Sequence, residues 1–385
     1  MRLTKNKADV VIIGGGVNGC SLAYKLAKKG LDVVVVEKKY LSSGATGACG
    51  AGIRQQWSTR ENALLAIKSV KMFEQLSREL GQDIEFRQGG YLIAVHDEKE
   101  MEQAEKNVAM QRSLGLKVDI LKPEEITNVV PILDVQGMKA IGATFCPTDG
   151  HANPFRTTFA YADAARSHGA EINTHTTVMN LKTAKKAIRT VITDKGPIQT
   201  NVVVNAAGID SKAIAEMVHI HLPLTPMRKE IMATERLQPL FEAMVISFKD
   251  GIYFSQQKEG QIVGGIPIPE EKGGYKTMPT FRFLEHMSRT LTRYAPMLKH
   301  VNLLRHWTGF YDVTPDARPI LGEVKGIKGF LQCNGFSGHG FMISPMVTEL
   351  LTDLIVEGKT SEVLQNLTLD RFKDNNIEKE LSVVG

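Results

Sequence analysis

The sequence predicts an α/β fold in which a parallel-sheet domain is assembled from separated segments and a second, mixed-sheet domain is inserted between them. Three observations predict it. A strand, a glycine turn, a helix and a second strand follow one another between Val10 and Glu37. A further buried-strand run appears in the middle of the chain, and a glycine-rich turn leading into a helix lies near its end, both far from the first unit. Between them lies a stretch, His221 to Pro267, with antiparallel character.

Val10 to Ile13 is a short continuous apolar run, the pattern of a strand covered on both faces. Cys20 to Lys29 reads as a helix with Leu22, Ala23, Leu26 and Ala27 on one face, stopped by Gly30. Val33 to Val36 is a second β-branched run that ends at Glu37, which completes a βαβ unit. Arg60 to Leu80 is an amphipathic helix, Gly90 to Val95 a strand and Asp97 to Arg112 a polar helix; Pro123 opens another. Pro154 to His168 is a helix, followed by strands at Thr177 to Leu181 and Ile188 to Thr193 with a turn at Asp194-Lys195-Gly196. Val202 to Val204 reads as a buried strand, and Leu222 to Leu224, Glu230 to Ala233, Gly251 to Phe254 and Gln261 to Gly264 as antiparallel strands. Thr280 to Tyr294 is a helix, and a glycine-rich turn at Gly335 to Gly340 leads into a last helix at Pro345 to Val356. Nucleotide-type elements thus sit at the start, middle and end. The expected division is 1–86, 145–220 and 306–385 for a Rossmann-like dinucleotide domain, with 87–144 and 221–305 for the substrate domain.

Bulk composition narrows the function classes. The 385 residues are 43% hydrophobic and 23% charged, as in a folded globular chain, with a net charge of +5 that favours anionic ligands. The basic residues are scattered without interleaved aromatics, which argues against nucleic acid. Cys20, Cys49, Cys146 and Cys333 form no CxxC pair, so neither a metal site nor a disulfide framework is expected, and a cytoplasmic location fits. No apolar stretch is long enough to span a membrane, and the apolar run after the basic N-terminus is too short for a signal peptide.

The central motif is Gly14-x-Gly16-x-x-Gly19 between a strand and a helix. The first glycine permits the tight turn, the second lets a pyrophosphate reach the backbone, and the third lets helix and strand pack. Glu37 ends the second strand, where a carboxylate can bind ribose hydroxyls. Together these predict dinucleotide binding without separating FAD from NAD.

Additional segments carry a family resemblance: Ser42-Ser43-Gly44-Ala45-Thr46-Gly47, Gly52-Ile53-Arg54-Gln55-Gln56, Asn205-Ala206-Ala207-Gly208, Thr314-Pro315-Asp316 and Gly335-Phe336-Ser337-Gly338-His339-Gly340-Phe341. With Gly14 to Glu37 they resemble the D-amino-acid-oxidase-like FAD oxidoreductases over nearly the whole chain. Pro147-Thr148-Asp149-Gly150, Asn153-Pro154-Phe155 and Met244 to Lys249 point to the branch holding sarcosine oxidase β subunits and the β subunit of dye-linked L-proline dehydrogenases. The resemblance implies an FAD held by Gly14, Gly16, Gly19, Glu37, Lys38, Ser43, Gly44, Thr46, Val178, Ala207, Gly208, Gly338, His339, Gly340 and Phe341. It implies that Arg54 grips the substrate carboxylate with its guanidinium fork. Tyr253 and Tyr311 are implied pocket residues, and His339 a candidate for proton transfer.

Departures from the family sharpen this. Gly309 stands where monomeric sarcosine oxidases link FAD through cysteine, so non-covalent FAD is expected. Tyr311 and Met342 replace an arginine and a lysine of relatives, which leaves Arg54 as the main anion clamp. The oxygen-activating lysine of oxidases aligns near Val263 and Gly264, which favours a dehydrogenase. Asn153 stands where a relative links FMN through histidine, so any FMN at a subunit interface would be non-covalent. The implied function is oxidation of a small secondary amino acid, L-proline first and sarcosine or a related N-methyl amino acid second. A hydride passes from the α C–H to flavin N5, and electrons go on to a dye, a quinone or a partner flavin. The alternatives are an oxidase that releases peroxide, an NAD-dependent dehydrogenase, and a non-catalytic or partner-dependent subunit of a larger dehydrogenase, alone or as an oligomer.

Overall fold

A computed structural model describes residues 3–268, 277–373 and 378–383. The first layer is a six-stranded sheet in the order Ile320–Glu323, Phe330–Asn334, Val202–Asn205, Val10–Ile13, Val33–Val36, Glu171–Asn173. Its pairings are parallel except that of Ile320–Glu323 with Phe330–Asn334. Val10–Ile13 and Val33–Val36 are buried throughout because each face of the sheet is covered. Val10, Ile12, Val33 and Val35 pack with residues of the helices Val17–Lys28, Arg60–Leu80, Pro154–Ser167 and Ser344–Glu357. Val11, Ile13, Val34 and Val36 face the three-stranded sheet Val178–Ala184, Ala187–Thr193 and Gly196–Gln199.

The second large sheet has eight strands in the order Leu303–Val313, Thr225–Arg236, Gln261–Gly265, Tyr253–Gln256, Met244–Ser247, Tyr91–Val95, Gly142–Cys146, Asp119–Leu121. It is mixed, since Met244–Ser247 runs parallel to Tyr91–Val95 and the other pairings are antiparallel. Its core includes Leu92, Val245, Phe254 and Ile262 against Phe283, Met287 and Leu291 of the helix Phe281–Tyr294. The predicted α/β class with a mixed-sheet partner is the observed one.

Several local expectations are corrected. The long strand Leu303–Val313 is absent from the sequence reading because its residues are mostly half-buried, with no clean alternation for the pattern to show. The residues from His221 to Leu224 form no strand. The first hairpin turns at Lys185 and Lys186, both left-handed (φ 51° and 56°), while Asp194–Gly196 joins the second strand to a third that the sequence did not signal. The expected segment boundaries at 144/145 and 305/306 fall inside the strands Gly142–Cys146 and Leu303–Val313. Among the described residues no helix is long and apolar enough to cross a membrane.

Candidate active site

The glycine motif folds as its spacing demands. Gly14 has φ +117°, and a Cβ there would lie 2.3 Å from the Ala206 carbonyl oxygen; a Cβ on Gly19 would lie 2.0 Å from the Gly14 oxygen. Only glycine brings the helix Val17–Lys28 this close to the strand. No side chain of Gly16 caps the helix and its first turn has no acid, so its positive end is left for an anion. The Val17 N–H donates to the Thr46 hydroxyl at 3.2 Å, which ties the loop Ser42–Gly47 to that end.

A cavity of ≈ 430 Å³ begins here. Gly14, Gly16, Glu37, Lys38, Ser43, Gly44, Thr46, Ala207, Gly208, Gly338, Gly340 and Phe341 all line it. At Gly44 and Gly208 a Cβ would meet nothing within 4 Å, so both backbones face open space. Glu37 is 9% exposed. Its carboxylate accepts from the Gly15 N–H and the Lys39 N–H, each at 2.8 Å, and from the Ser43 hydroxyl at 3.4 Å. The acid therefore braces both ends of the turn as well as facing the cavity. Lys38 pairs with Asp210 at 2.6 Å across the cavity rim, where both are exposed. Gly19 and Val178 do not line the cavity. Gly19 serves helix packing, and the Val178 side chain belongs to the core between the six-stranded and three-stranded sheets.

A second, smaller cavity of ≈ 70 Å³ adjoins the first, sharing Cys49, Tyr311, Gly338 and Phe341 with it. Arg54, Tyr253, Tyr311 and His339 all line this pocket. Arg54 is 2% exposed. One of its terminal nitrogens, Nη2, donates to the Ser382 carbonyl, and the other, Nη1, has no partner. The guanidinium carbon lies 4.0 Å from the centre of the Trp57 ring. Burial pulls the Arg54 pKa down, against the pull of Tyr91, Glu380 and Asp149, but an arginine keeps its proton at neutral pH.

Tyr91, Tyr253 and Tyr311 line the same pocket, and burial raises the pKa of all three, that of Tyr311 to about 12. They are therefore neutral donors. His339 stacks at a tilt on Trp57, with ring centres 4.7 Å apart and both ring nitrogens buried without partners. Burial lowers its pKa to about 4, so the imidazole is neutral and unsuited to donate a proton at pH 7. The pocket is thus one buried cation with neutral phenols and apolar walls, which suits a small carboxylate.

Arg54 is placed by elements the sequence marked only in part. The short strand Gly52–Ile53 pairs with Gly150–His151. Buried Asp149 accepts from the Gln55 N–H at 2.8 Å, the Gln55 side-chain amide at 3.0 Å and the Gln56 amide at 3.1 Å. Burial raises its pKa to about 6 against those hydrogen bonds. Trp57, Tyr91 and Val383 line the small pocket, while Asp149 and Ser382 brace Arg54 and its loop from outside it; the sequence assigned none of the five. The spacing of Trp57 three residues after Arg54 was a usable signal, whereas nothing local links Tyr91 or Val383 to the loop. Asn153 caps the helix Pro154–Ser167, accepting from the Phe155 and Arg156 N–H groups at 3.1 Å each. Val263 and Gly264 lie in a strand, and a cation sits elsewhere: Lys229 Nζ is 5.6 Å from the centre of the Tyr311 ring. Among the described residues no cluster of His, Cys, Asp and Glu is placed to hold a metal.

Comparison with known proteins agrees with this geometry. A family model described as DAO, FAD dependent oxidoreductase, matches residues 9–354. The sarcosine oxidase subunit beta of Arthrobacter sp is 28% identical over 381 residues, covering 98% of this chain and 94% of that protein. Human mitochondrial dimethylglycine dehydrogenase is 28% identical over 392 residues, covering 96% of this chain and 45% of that protein. The crystal structure of L-proline dehydrogenase from P. horikoshii superposes with a TM-score of 0.93 at 36% identity, covering 97% of this chain and 100% of that one. The cavity at the helix N-terminus, the acid at the strand end and the family match lead to one statement: the chain belongs to the DAO family and is an FAD-dependent oxidoreductase of the amino acid oxidase and dehydrogenase type.

Proposed function

We propose that the chain oxidises a small secondary amino acid at the C–H bond beside nitrogen, with L-proline first and sarcosine or a related N-methyl amino acid second. The residues present fit FAD. The ≈ 430 Å³ cavity runs from Glu37 to the Gly338–Phe341 segment and reaches the small pocket. Gly14, Gly16 and the N-terminus of Val17–Lys28 would face the pyrophosphate, Glu37 the ribose, and Gly338, Gly340 and Phe341 the ring system. Gly309 offers no side chain for a covalent link, and a larger residue would crowd Ala48, whose Cβ lies 2.8 Å from a Cβ built at Gly309. Bound FAD supplies the hydride acceptor; the protein binds, orients and shields the substrate.

The observation that carries the substrate reading is the unpartnered Nη1 of buried Arg54 in a pocket of ≈ 70 Å³. Glu380 and Asp149 act on this cation only at a distance, and a buried cation with no carboxylate paired directly to it is costly unless a ligand supplies the anion. The phenols of Tyr91, Tyr253 and Tyr311 can donate to that same carboxylate, while Met244, Ile246 and Met342 leave room for a small apolar body. With His339 neutral, the pocket provides no strong acid or base, so the amine would have to lose its proton to solvent before hydride transfer. The test is anaerobic mixing of the flavin-loaded chain with a panel of amino acids. L-Proline or sarcosine should bleach the flavin absorbance, and a panel in which neither does so would refute the assignment.

For the electron acceptor we favour a dye, a quinone or a partner flavin, because no lysine occupies the Val263–Gly264 position. Lys229 near Tyr311 favours the second reading, an oxidase producing peroxide. Parallel rates of dye reduction and peroxide formation decide between them. A partner subunit is supported by the relative named as a subunit, and any FMN at its interface would be held non-covalently, since Asn153 is an amide engaged as a helix cap. Flavin analysis after co-purification tests it.

A further inference from the structure

Arg54 is tied to a distant part of the chain. The Ser382 carbonyl accepts from its Nη2, and the next residue, Val383, lines the small pocket. Glu380, 2% exposed, holds this segment down. Its carboxylate accepts from the Ser58 and Thr59 N–H groups at 2.9 and 3.0 Å, from the Thr59 hydroxyl at 2.7 Å, from the Ser58 hydroxyl, and from the Asn62 amide at 3.2 Å. These groups cluster at the start of the helix Arg60–Leu80, where backbone N–H groups lack helical acceptors and a negative charge is favoured. Burial acts to raise the pKa of Glu380, but the hydrogen bonds from Ser58 and Thr59 outweigh it and keep the group below the usual carboxylate range. The Leu381 N–H donates to the Ser58 hydroxyl at 2.9 Å, and the Glu380 N–H to the Asp316 carbonyl at 3.0 Å. The segment is therefore fastened to the loop that carries Arg54, and both reach the pocket together.

We propose that Glu380–Val383 is the specificity wall of the substrate pocket. The Ser382 carbonyl fixes the rotation of the guanidinium so that Nη1 faces the substrate carboxylate, and Val383 limits the amino-acid body to about the size of a five-membered ring. Glu380 is a positioning residue, acting on substrate only through Arg54 and Val383. This deepens the reading of the pocket as an amino-acid carboxylate site, and rests on it, by stating which acids are admitted.

The experiment uses the flavin-loaded full chain and follows flavin absorbance on titration with pyrrole-2-carboxylate and with the bulkier 1-naphthoate. The parent should prefer the smaller acid. Val383→Ala should reduce that preference by roughly tenfold or more, and Val383→Trp should weaken both acids. Glu380→Ala should weaken both acids and lose the preference, with part of each recovered in Glu380→Asp. A segment that only braces the fold would lower the melting temperature and leave the ratio of affinities alone. A ratio within about threefold of the parent in Val383→Ala overturns the proposal, even if Glu380→Ala fails to fold or to load flavin. Selective carboxylate binding without bleaching by any amino acid would refute the proposed reaction while upholding the wall. A parent that binds neither acid overturns both.

Discussion

The two cavities meet at Tyr311 and Gly338 yet are built by opposite means. The larger is made of backbone: glycines at fixed spacing, a helix N-terminus, and one acid that braces the turn. The smaller is made of side chains, buried at Arg54 and Tyr91 and half-buried at Tyr253, Tyr311 and Val383, drawn from a loop, three strands and a segment near the C-terminus. A backbone site is specified locally, so replacing a glycine should destroy it outright. A side-chain site is specified by tertiary contact, so its parts should fail one at a time and leave the cofactor in place.

The largest effect is expected at the most local element. Gly14→Val puts a side chain against the Ala206 oxygen at a φ of +117°, a conformation that a β-branched residue does not tolerate. The purified variant should retain almost no flavin absorbance near 450 nm; parent-level flavin would show that the turn can relax.

Asp149 probes the other region through pH. Its pKa is raised to about 6, so the folded state holds a proton that the unfolded state has released, and its contribution to stability falls as pH rises from about 4 to 6. His151 and His339, lowered by burial to about 4, act in the opposite sense over nearly the same range. In Asp149→Asn stability should therefore rise more steeply with pH across this window than in the parent, by up to about 3 kcal/mol in total. Superimposable curves of melting temperature against pH would remove Asp149 from the account.

The same contrast explains what could be read in advance. The helix Arg60–Leu80 and the strands Val10–Ile13 and Val33–Val36 were legible because periodicity and turn residues report local structure. Glu37 was legible because its distance from the glycines is fixed by one βαβ unit. Arg54 was legible only through family resemblance, since nothing within the loop shows that it is buried. Tyr91 and Val383 were not legible, because each reaches the pocket through sheet pairing or a tail contact that leaves no periodic trace. Leu303–Val313 was missed for a related reason: half-buried on both faces, it carries no alternation.

Two milder changes sharpen the contrast within the larger cavity. Glu37→Ala removes charge-assisted hydrogen bonds from Gly15 and Lys39 as well as the carboxylate proposed to accept from the ribose. FAD affinity should fall by about 1.5–3 kcal/mol, or roughly 10- to 150-fold, in an equilibrium titration; an unchanged dissociation constant would mean that the acid serves the turn alone. Lys38→Ala loses only an exposed pair with Asp210 and should change FAD affinity by less than about 1 kcal/mol. A larger loss would move Lys38 from the rim into the cofactor contacts.

If Arg54 binds substrate while the glycine turn independently binds FAD, the two roles separate in Arg54→Ala, and the quantity to measure is activity per bound flavin. Removing the buried guanidinium leaves a carboxylate unpaired in the pocket, a loss of about 3–5 kcal/mol in transition-state binding. Flavin content should stay near normal and kcat/KM per flavin fall by roughly two to four decades, with Arg54→Lys recovering part because it keeps the charge without the planar fork. A flavin-loaded Arg54→Ala enzyme with kcat/KM within about threefold of the parent would contradict the account and move the carboxylate clamp to the phenols of Tyr253 and Tyr311.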